Sequence, residues 1–503
     1  MEEMTIAQIQ SDMARGRLNA VDLTRSYLDR IARLDQAGPG VNAVIEVNPE
    51  ALAEAERLDG ERIAGRLRSA LHGTPILIKD NIETLGPMAT SAGSLALAGN
   101  KPGRDADVMA RLRAAGVVVL GKTNLSEWAN FRSTHSSSGW SSRGGQTRNP
   151  YALDRSPCGS SSGSGAAVAA NFCAAAVGTE TDGSIVCPAH ANGIVGLKPT
   201  LGLISRRGIV PIAHSQDTAG PMARCVADAA WLLGTMTGID PADPETAAAE
   251  GKALSDYTAF LDTDGLRGAR LGVARNYCGF DARVDQILED ALAAMRSAGA
   301  EVIDLKRVAP EASFEKYEGE VLFSEFKSDL TAYLQSLGQD CPVHSLADVI
   351  RYNEENASRV MPYFGQERML LSQAKGSLRR KRYQEALTNG RRQTRELGLD
   401  AAIKEYRLDA IVAPTGGPAW LIDLVNGDQY IGGGFTSPAA VAGYPHITVP
   451  AGWVRGLPIG VSFVAGAWQE PVLIRLAYAF EQATRVRQPP KFRPSAELEG
   501  LWR

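Results

Sequence analysis

The feature that most constrains this chain is an alternation. Short apolar runs of strand length recur between stretches of helical spacing along most of its 503 residues. Ile76-Leu77-Ile78 is followed by a helical pattern over 105–115 and a second apolar run, Val117-Val118-Val119-Leu120. Residues 163–170 read as a helix leading into a strand over 175–178. Leu271-Gly272-Val273, a helix over 284–298 and Val302-Ile303 repeat the pattern. Residues 408–414, 446–449 and 459–463 read as further strands, and 471–485 as a late helix. Strands this apolar belong in a sheet covered on both faces. The expected class is therefore α/β: a large mixed, mostly parallel twisted sheet with helices on both sides.

Before this alternation come amphipathic helices. Two are expected within 5–35, the first capped by Thr5 and ended by Arg15-Gly16-Arg17, the second over 21–34; a third covers 49–66. Asp, Pro, Ala and Glu dominate 240–266, which reads as a surface connection, and 311–406 looks helical and charged. Four segments are expected to work as one large domain. They are an N-terminal helical segment (1–70) packed on a core (71–240) that carries the chemistry, a mostly helical peripheral region (241–406), and a C-terminal part (407–503) that returns to the sheet.

With 44% hydrophobic and 22% charged residues, a packed protein is expected rather than disorder. Net charge is -4 and no Lys/Arg block stands out, so nucleic acid is not an expected partner. The apolar stretch 166–177 is interrupted by Asn171 and falls far short of the roughly 20 residues that span a bilayer, so no membrane partner is expected. The six cysteines are scattered without a Cys-x-x-Cys pair, which argues against zinc and for reduced thiols in a cytoplasmic setting. Met1-Glu2-Glu3-Met4-Thr5 shows no signal peptide; a leader removed earlier stays open.

Three pieces carry chemistry. Lys79 follows Ile76-Leu77-Ile78 at the end of a buried strand. Burial lowers a lysine pKa, and a neutral amine can act as a general base; a solvated amine at a strand end is the alternative. Asp80 points to the other face if the strand continues. Ser184 lies in Gly178-Thr179-Glu180-Thr181-Asp182-Gly183-Ser184-Ile185. The amides of 181–184 could bind a developing oxyanion there, or Ser184 could simply cap a helix. The cluster Cys158-Gly159-Ser160-Ser161-Ser162-Gly163-Ser164-Gly165 lacks the Gly-Lys-Ser/Thr ending of a phosphate loop. Arg155-Ser156-Pro157-Cys158 makes a poor strand for a nucleophile elbow. What remains is a loop that holds one serine against another.

Taken together, these stretches resemble the amidase signature family. The resemblance runs through Leu71-His72-Gly73-Thr74-Pro75-Ile76-Leu77-Ile78-Lys79-Asp80-Asn81, the serine-rich block from Ser156 to Thr200, Asp217-Thr218-Ala219-Gly220-Pro221 and Gly456-Leu457-Pro458-Ile459-Gly460. It implies a Ser–cis-Ser–Lys triad. Ser184 would be the nucleophile, Lys79 the base, and Ser160 the bridging serine after a cis peptide bond from Gly159, since 184 − 160 = 24 matches the family spacing. Ser161 would orient the triad, and the amides of Thr181, Asp182, Gly183 and Ser184 would hold the oxyanion. The implied reaction is carboxamide hydrolysis through an acyl-enzyme, with no metal or organic cofactor.

Within the family, Ser126-Glu127-Trp128-Ala129-Asn130-Phe131-Arg132 and Gly144-Gly145-Gln146-Thr147-Arg148-Asn149-Pro150 are similar to bacterial peptide amidases, which release the C-terminal amide of a peptide as ammonia. A small amide or peptide amide is thus the implied substrate, a monomer or homodimer the expected state, and 420–435 the expected pocket mouth. Alternatives are hydrolases of aryl amides, carbamates or nylon-type oligomers, the glutaminase-type component of a tRNA-dependent amidotransferase, and a non-enzymatic binding module. The six histidines are dispersed and form no rival triad.

Overall fold

The computed structural model describes residues 2–430 and 432–497. Among them thirteen strands are formed: β1 Val44–Val47, β2 Pro75–Lys79, β3 Val118–Thr123, β4 Trp140–Ser141, β5 Gly145–Gln146, β6 Ala175–Glu180, β7 Val195–Lys198, β8 Thr218–Ala223, β9 Arg270–Ala274, β10 Glu301–Leu305, β11 Ala410–Pro414, β12 His446–Val454 and β13 Leu457–Val464. Eleven of them make one sheet in the order β1-β3-β2-β6-β8-β7-β12-β13-β11-β9-β10, and β4 and β5 pair separately.

The sheet is mixed. Parallel pairing is confined to two blocks, β3-β2-β6 and β11-β9-β10. Between them, and at the β1 edge, neighbours run antiparallel. The chain connections explain the split. A parallel pair needs a crossover, and β2 reaches β3 through the helix Asp107–Ala114, as β9 reaches β10 through Ala282–Ser297. β12 and β13 are joined by a tight turn and can only be antiparallel. Strands β2, β3, β6, β7, β8, β11 and β13 are buried at every residue, which requires cover on both faces. A single apolar cluster extends from Ile6 through the central strands to Phe480.

Local signals act as chemistry dictates. Thr5 and Gln8 form a reciprocal capping box on the helix Ile6–Ala14. The second helix, expected over 21–34, is regular only over Ala20–Arg30 and continues as a π-helical turn, Ile31–Asp35. There the Asp35 carboxylate accepts from the Ala43 and Val44 amides at 2.6 and 3.0 Å. The connection over 240–266 is not merely a surface strap. Tyr257 and Leu266 are buried, and the Asp240 and Asp243 carboxylates pair with Arg207 and Arg206.

Residues 311–406 are largely helical, and they are tied to the loop after β3. Arg132, fully buried, pairs with Glu127 at 3.0 Å and donates to the Val360 and Phe364 carbonyls at 2.7 and 3.1 Å. One guanidinium thus binds this helical region to the loop after β3.

The expectation of reduced thiols throughout is corrected. Cys158 and Cys187 form a disulfide, while Cys173, Cys225, Cys278 and Cys341 are free. The reason is spatial: folding lays the loop before Ser160 beside the helix that follows Ser184. Among the described residues no helix is long and apolar enough to cross a membrane.

Candidate active site

Lys79 ends β2, and parallel pairing of β2 with β6 carries it to Thr179 near the end of β6. Its amine is wholly removed from solvent. Nζ lies 2.8 Å from Ser160 Oγ, 3.0 Å from Ser161 Oγ, 2.9 Å from Thr179 Oγ1 and 3.2 Å from the Thr179 carbonyl. Burial lowers its pKa to about 7, and the carboxylates of Glu180 and Asp217 oppose that shift. Asp80 takes no part. It is held elsewhere by Ser91, the Gly93 amide and Arg143.

Ser160 follows a cis peptide bond from Gly159. Ser161 Oγ donates to the Thr179 carbonyl at 3.0 Å and accepts from the Thr179 amide at 3.2 Å, so it is stitched to β6. Gly178 makes room for this contact, since a Cβ there would stand 2.9 Å from Ser161 Oγ. The Ser161 amide donates to the Ser184 carbonyl at 3.1 Å, which brings the two serine loops together.

The loop 181–186 is shaped by Glu180, which sequence reasoning left without a role. Its buried carboxylate accepts from the amides of Gly183 at 2.9 Å, Ile185 at 2.7 Å and Val186 at 3.0 Å. Gly183 has φ +76°, a left-handed conformation that suits glycine. Of the four amides expected to face an oxyanion, that of Gly183 is therefore already bonded. Those of Thr181, Asp182 and Ser184 have no protein acceptor among the described residues. Thr181 Oγ1 is fixed by Asp217 at 2.5 Å, and Asp182 by Ser437 at 2.6 Å.

Ser184 is 7% exposed and begins no helix cap; the helix Val186–Ala191 starts beyond it. It lines a cavity of about 370 Å³ together with Gly159, Thr181 and Asp182. Apolar walls come from Phe131, Ile212, Leu322 and Phe323, and charged groups from Glu315, Glu318 and Arg368. Ser184 Oγ has no hydrogen-bond partner among the described residues. Of the stretch 420–435, expected at the pocket mouth, no described residue lines this cavity. Trp420 stacks edge-on to Tyr430 and bonds Asp428 at 2.8 Å, and Phe435 is buried edge-on to Tyr277. Ile431, within that stretch, lies outside the described residues.

The histidines are structural where they are buried. His190 sits between the Gly417 carbonyl and the Gly460 amide, and His446 bonds Ser462 at 2.6 Å.

A buried lysine bonded to two adjacent serines thus lies near a loop whose serine lines a cavity. The family model for amidases matches residues 22–474. The chain belongs to the amidase signature family. Peptide amidase from Stenotrophomonas maltophilia superposes with a TM-score of 0.93 at 51% identity, over 98% of this chain and 99% of that one. A probable amidase of Arabidopsis thaliana is 42% identical over 98% of this chain and 92% of its own length. The A component of the glutamyl-tRNA(Gln) amidotransferase of Pseudomonas syringae is 35% identical over 98% of this chain and its full length. The protein is an amide-hydrolysing enzyme.

Proposed function

We propose that the protein hydrolyses carboxamides with Lys79 as base, Ser160 as proton relay and Ser184 as nucleophile, and that its substrates are peptides bearing a C-terminal amide. The observation that carries this reading is the Lys79 amine, sealed from water and in contact with Ser160 Oγ.

Hydrogen-bond accounting supports Ser160, rather than Ser161, as the relay. A neutral amine has two hydrogens and one lone pair. The Ser161 hydrogen is committed to the Thr179 carbonyl, so Ser161 Oγ faces Lys79 as an acceptor. Thr179 Oγ1 also accepts from Asn81 Nδ2 at 2.9 Å. The Ser160 hydroxyl has no other acceptor among the described residues, so its hydrogen is free to point to the amine lone pair.

In acylation, Ser184 Oγ attacks the carbonyl carbon. Its proton moves to Ser160 Oγ as the Ser160 proton moves to Lys79 Nζ. The free amides of Thr181, Asp182 and Ser184 stabilise the oxyanion. Collapse expels ammonia, which carries the returned proton, and leaves the acyl group on Ser184. Water then attacks the ester by the same relay in reverse, and the chain's own groups suffice for every step. The peptide-amide substrate rests on the likeness to peptide amidase, and the apolar-walled cavity beside Ser184 offers a place for it.

The likeness to the amidotransferase component favours a second reading, glutamine hydrolysis inside a complex. A panel of peptide amides, aryl amides, carbamates and glutamine, scored for ammonia or amine release by the purified chain alone, separates the two. Release from peptide amides supports the first; turnover of glutamine only, or of nothing without a partner, contradicts it. The Cys158–Cys187 disulfide favours an oxidising compartment over the cytoplasmic one expected from the sequence.

A further inference from the structure

The disulfide joins the two catalytic loops themselves. Cys158 stands two residues before Ser160 and Cys187 three residues after Ser184, with their Cα atoms 6.0 Å apart. The bond lies outside the cavity, packed with Ala191 beneath Trp420. Each serine is otherwise anchored to a different support. Ser160 is held through Lys79 on β2 and through its carbonyl, which accepts from the Ser126 amide at 3.1 Å. The loop carrying Ser184 is held by the Glu180 carboxylate. Direct ties between the two loops are few. Among the described residues they include the 3.1 Å bond from the Ser161 amide to the Ser184 carbonyl and the 2.9 Å bond from Asn192 Nδ2 to the Pro157 carbonyl.

Proton transfer between two hydroxyls is sensitive to their separation, and a misplacement of about 1 Å can cost a hundredfold in rate. The separation of Ser160 from Ser184 is the quantity a covalent link across these loops controls. The apolar walls that would hold a substrate, Phe131, Ile212, Leu322 and Phe323, come from segments the disulfide does not touch.

We propose that the Cys158–Cys187 disulfide is a positioning device for the reaction: it sets Ser160 against Ser184, so that its reduction lowers turnover while substrate binding and the fold persist. The inference rests on the roles given above to Ser160 and Ser184. Reduction by a dithiol passes two electrons and two protons to the sulfur–sulfur bond, giving two cysteine thiols and the cyclic disulfide of the reagent.

The test begins with thiol titration of the denatured, unreduced protein, which should give four thiols, rising to the full six after dithiol treatment. The reduced enzyme, assayed on a peptide amide, should lose about tenfold to a hundredfold in kcat with KM unchanged within about twofold and the near-UV circular dichroism preserved. Reoxidation should restore the rate. The double variant Cys158→Ser/Cys187→Ser should show the same low kcat and no response to the dithiol. Six thiols in the untreated protein would overturn the proposal. So would full kcat in the six-thiol enzyme, or loss of the near-UV signal together with activity, which marks a bond that serves the fold alone. Ser184→Ala, assayed in parallel, keeps the two readings apart, because turnover by that variant refutes the nucleophile and leaves the disulfide result standing.

Discussion

Replacing Lys79 by methionine should destroy activity and change how stability depends on pH. In the folded chain the amine is completely buried and its pKa is lowered to about 7, against about 10.4 in the unfolded state. The gap of roughly 3.4 units corresponds to about 5 kcal/mol against the charged form. Between about pH 7 and pH 10 the unfolded chain holds a proton that the native amine has released. The unfolded state therefore binds more protons, and wild-type stability rises with pH at about 1.4 kcal/mol per unit. Methionine fills similar volume and does not titrate. Its own cost is the loss of the contacts to Ser160, Ser161 and Thr179, on the order of 1 kcal/mol each and nearly independent of pH. Below pH 7 the penalty on the charged amine exceeds these contacts by about 2 kcal/mol, so Lys79→Met should be the more stable protein there. From pH 7 to pH 10 the wild type should gain about 4 kcal/mol relative to Lys79→Met. Urea unfolding of both proteins at pH 6, 7, 8, 9 and 10, with the disulfide kept intact, measures this difference. A stability difference that stays constant across that range would show that the lysine is not depressed, and base catalysis by Lys79 would go with it.

Other outcomes follow from the same geometry. The rate should rise from acid pH to a plateau above about 7, falling tenfold per unit well below it, because only the neutral Lys79 accepts a proton; a pH-independent kcat/KM between 5 and 8 would contradict this. Glu180→Ala should strand three loop amides and cost several kcal/mol at about 1–3 each, with Glu180→Gln milder; equal Tm values for the two variants would argue against the clamp. Ser161→Ala removes both bonds to Thr179 and one to Lys79, and should lower kcat more than tenfold with little effect on KM. An effect on KM alone would place Ser161 in binding rather than in orientation.

Much of this was legible in the chain because the signals are local. Apolar runs marked β2, β3, β6 and β11, and Thr5 marked a helix start. Lys79 was readable because three buried residues precede it. Less was legible where the decisive partner is distant. The parallel or antiparallel sense of each strand pair depends on which strands become neighbours, and only short connections such as the β12–β13 turn disclose that in advance. Arg132 gave no sign that it would bind the carbonyls of Val360 and Phe364. Glu180 was overlooked although the amides of Gly183, Ile185 and Val186, just after it, need an acceptor before the next helix. The disulfide had a signal too: if Ser160 and Ser184 meet, cysteines two and three residues away from them must also come close. Treating the cysteines as scattered along the sequence hid their proximity in space.

The most direct test of the serine–lysine relay is rapid-quench mass spectrometry during turnover of a peptide amide, with the acyl group located by peptide mapping. The relay predicts an ester on Ser184 that forms as ammonia is released and precedes the free acid, vanishes in Ser184→Ala, and forms far more slowly in Ser160→Ala and Lys79→Met. An acyl group on any other residue, or one that still forms on Ser184→Ala, would contradict it.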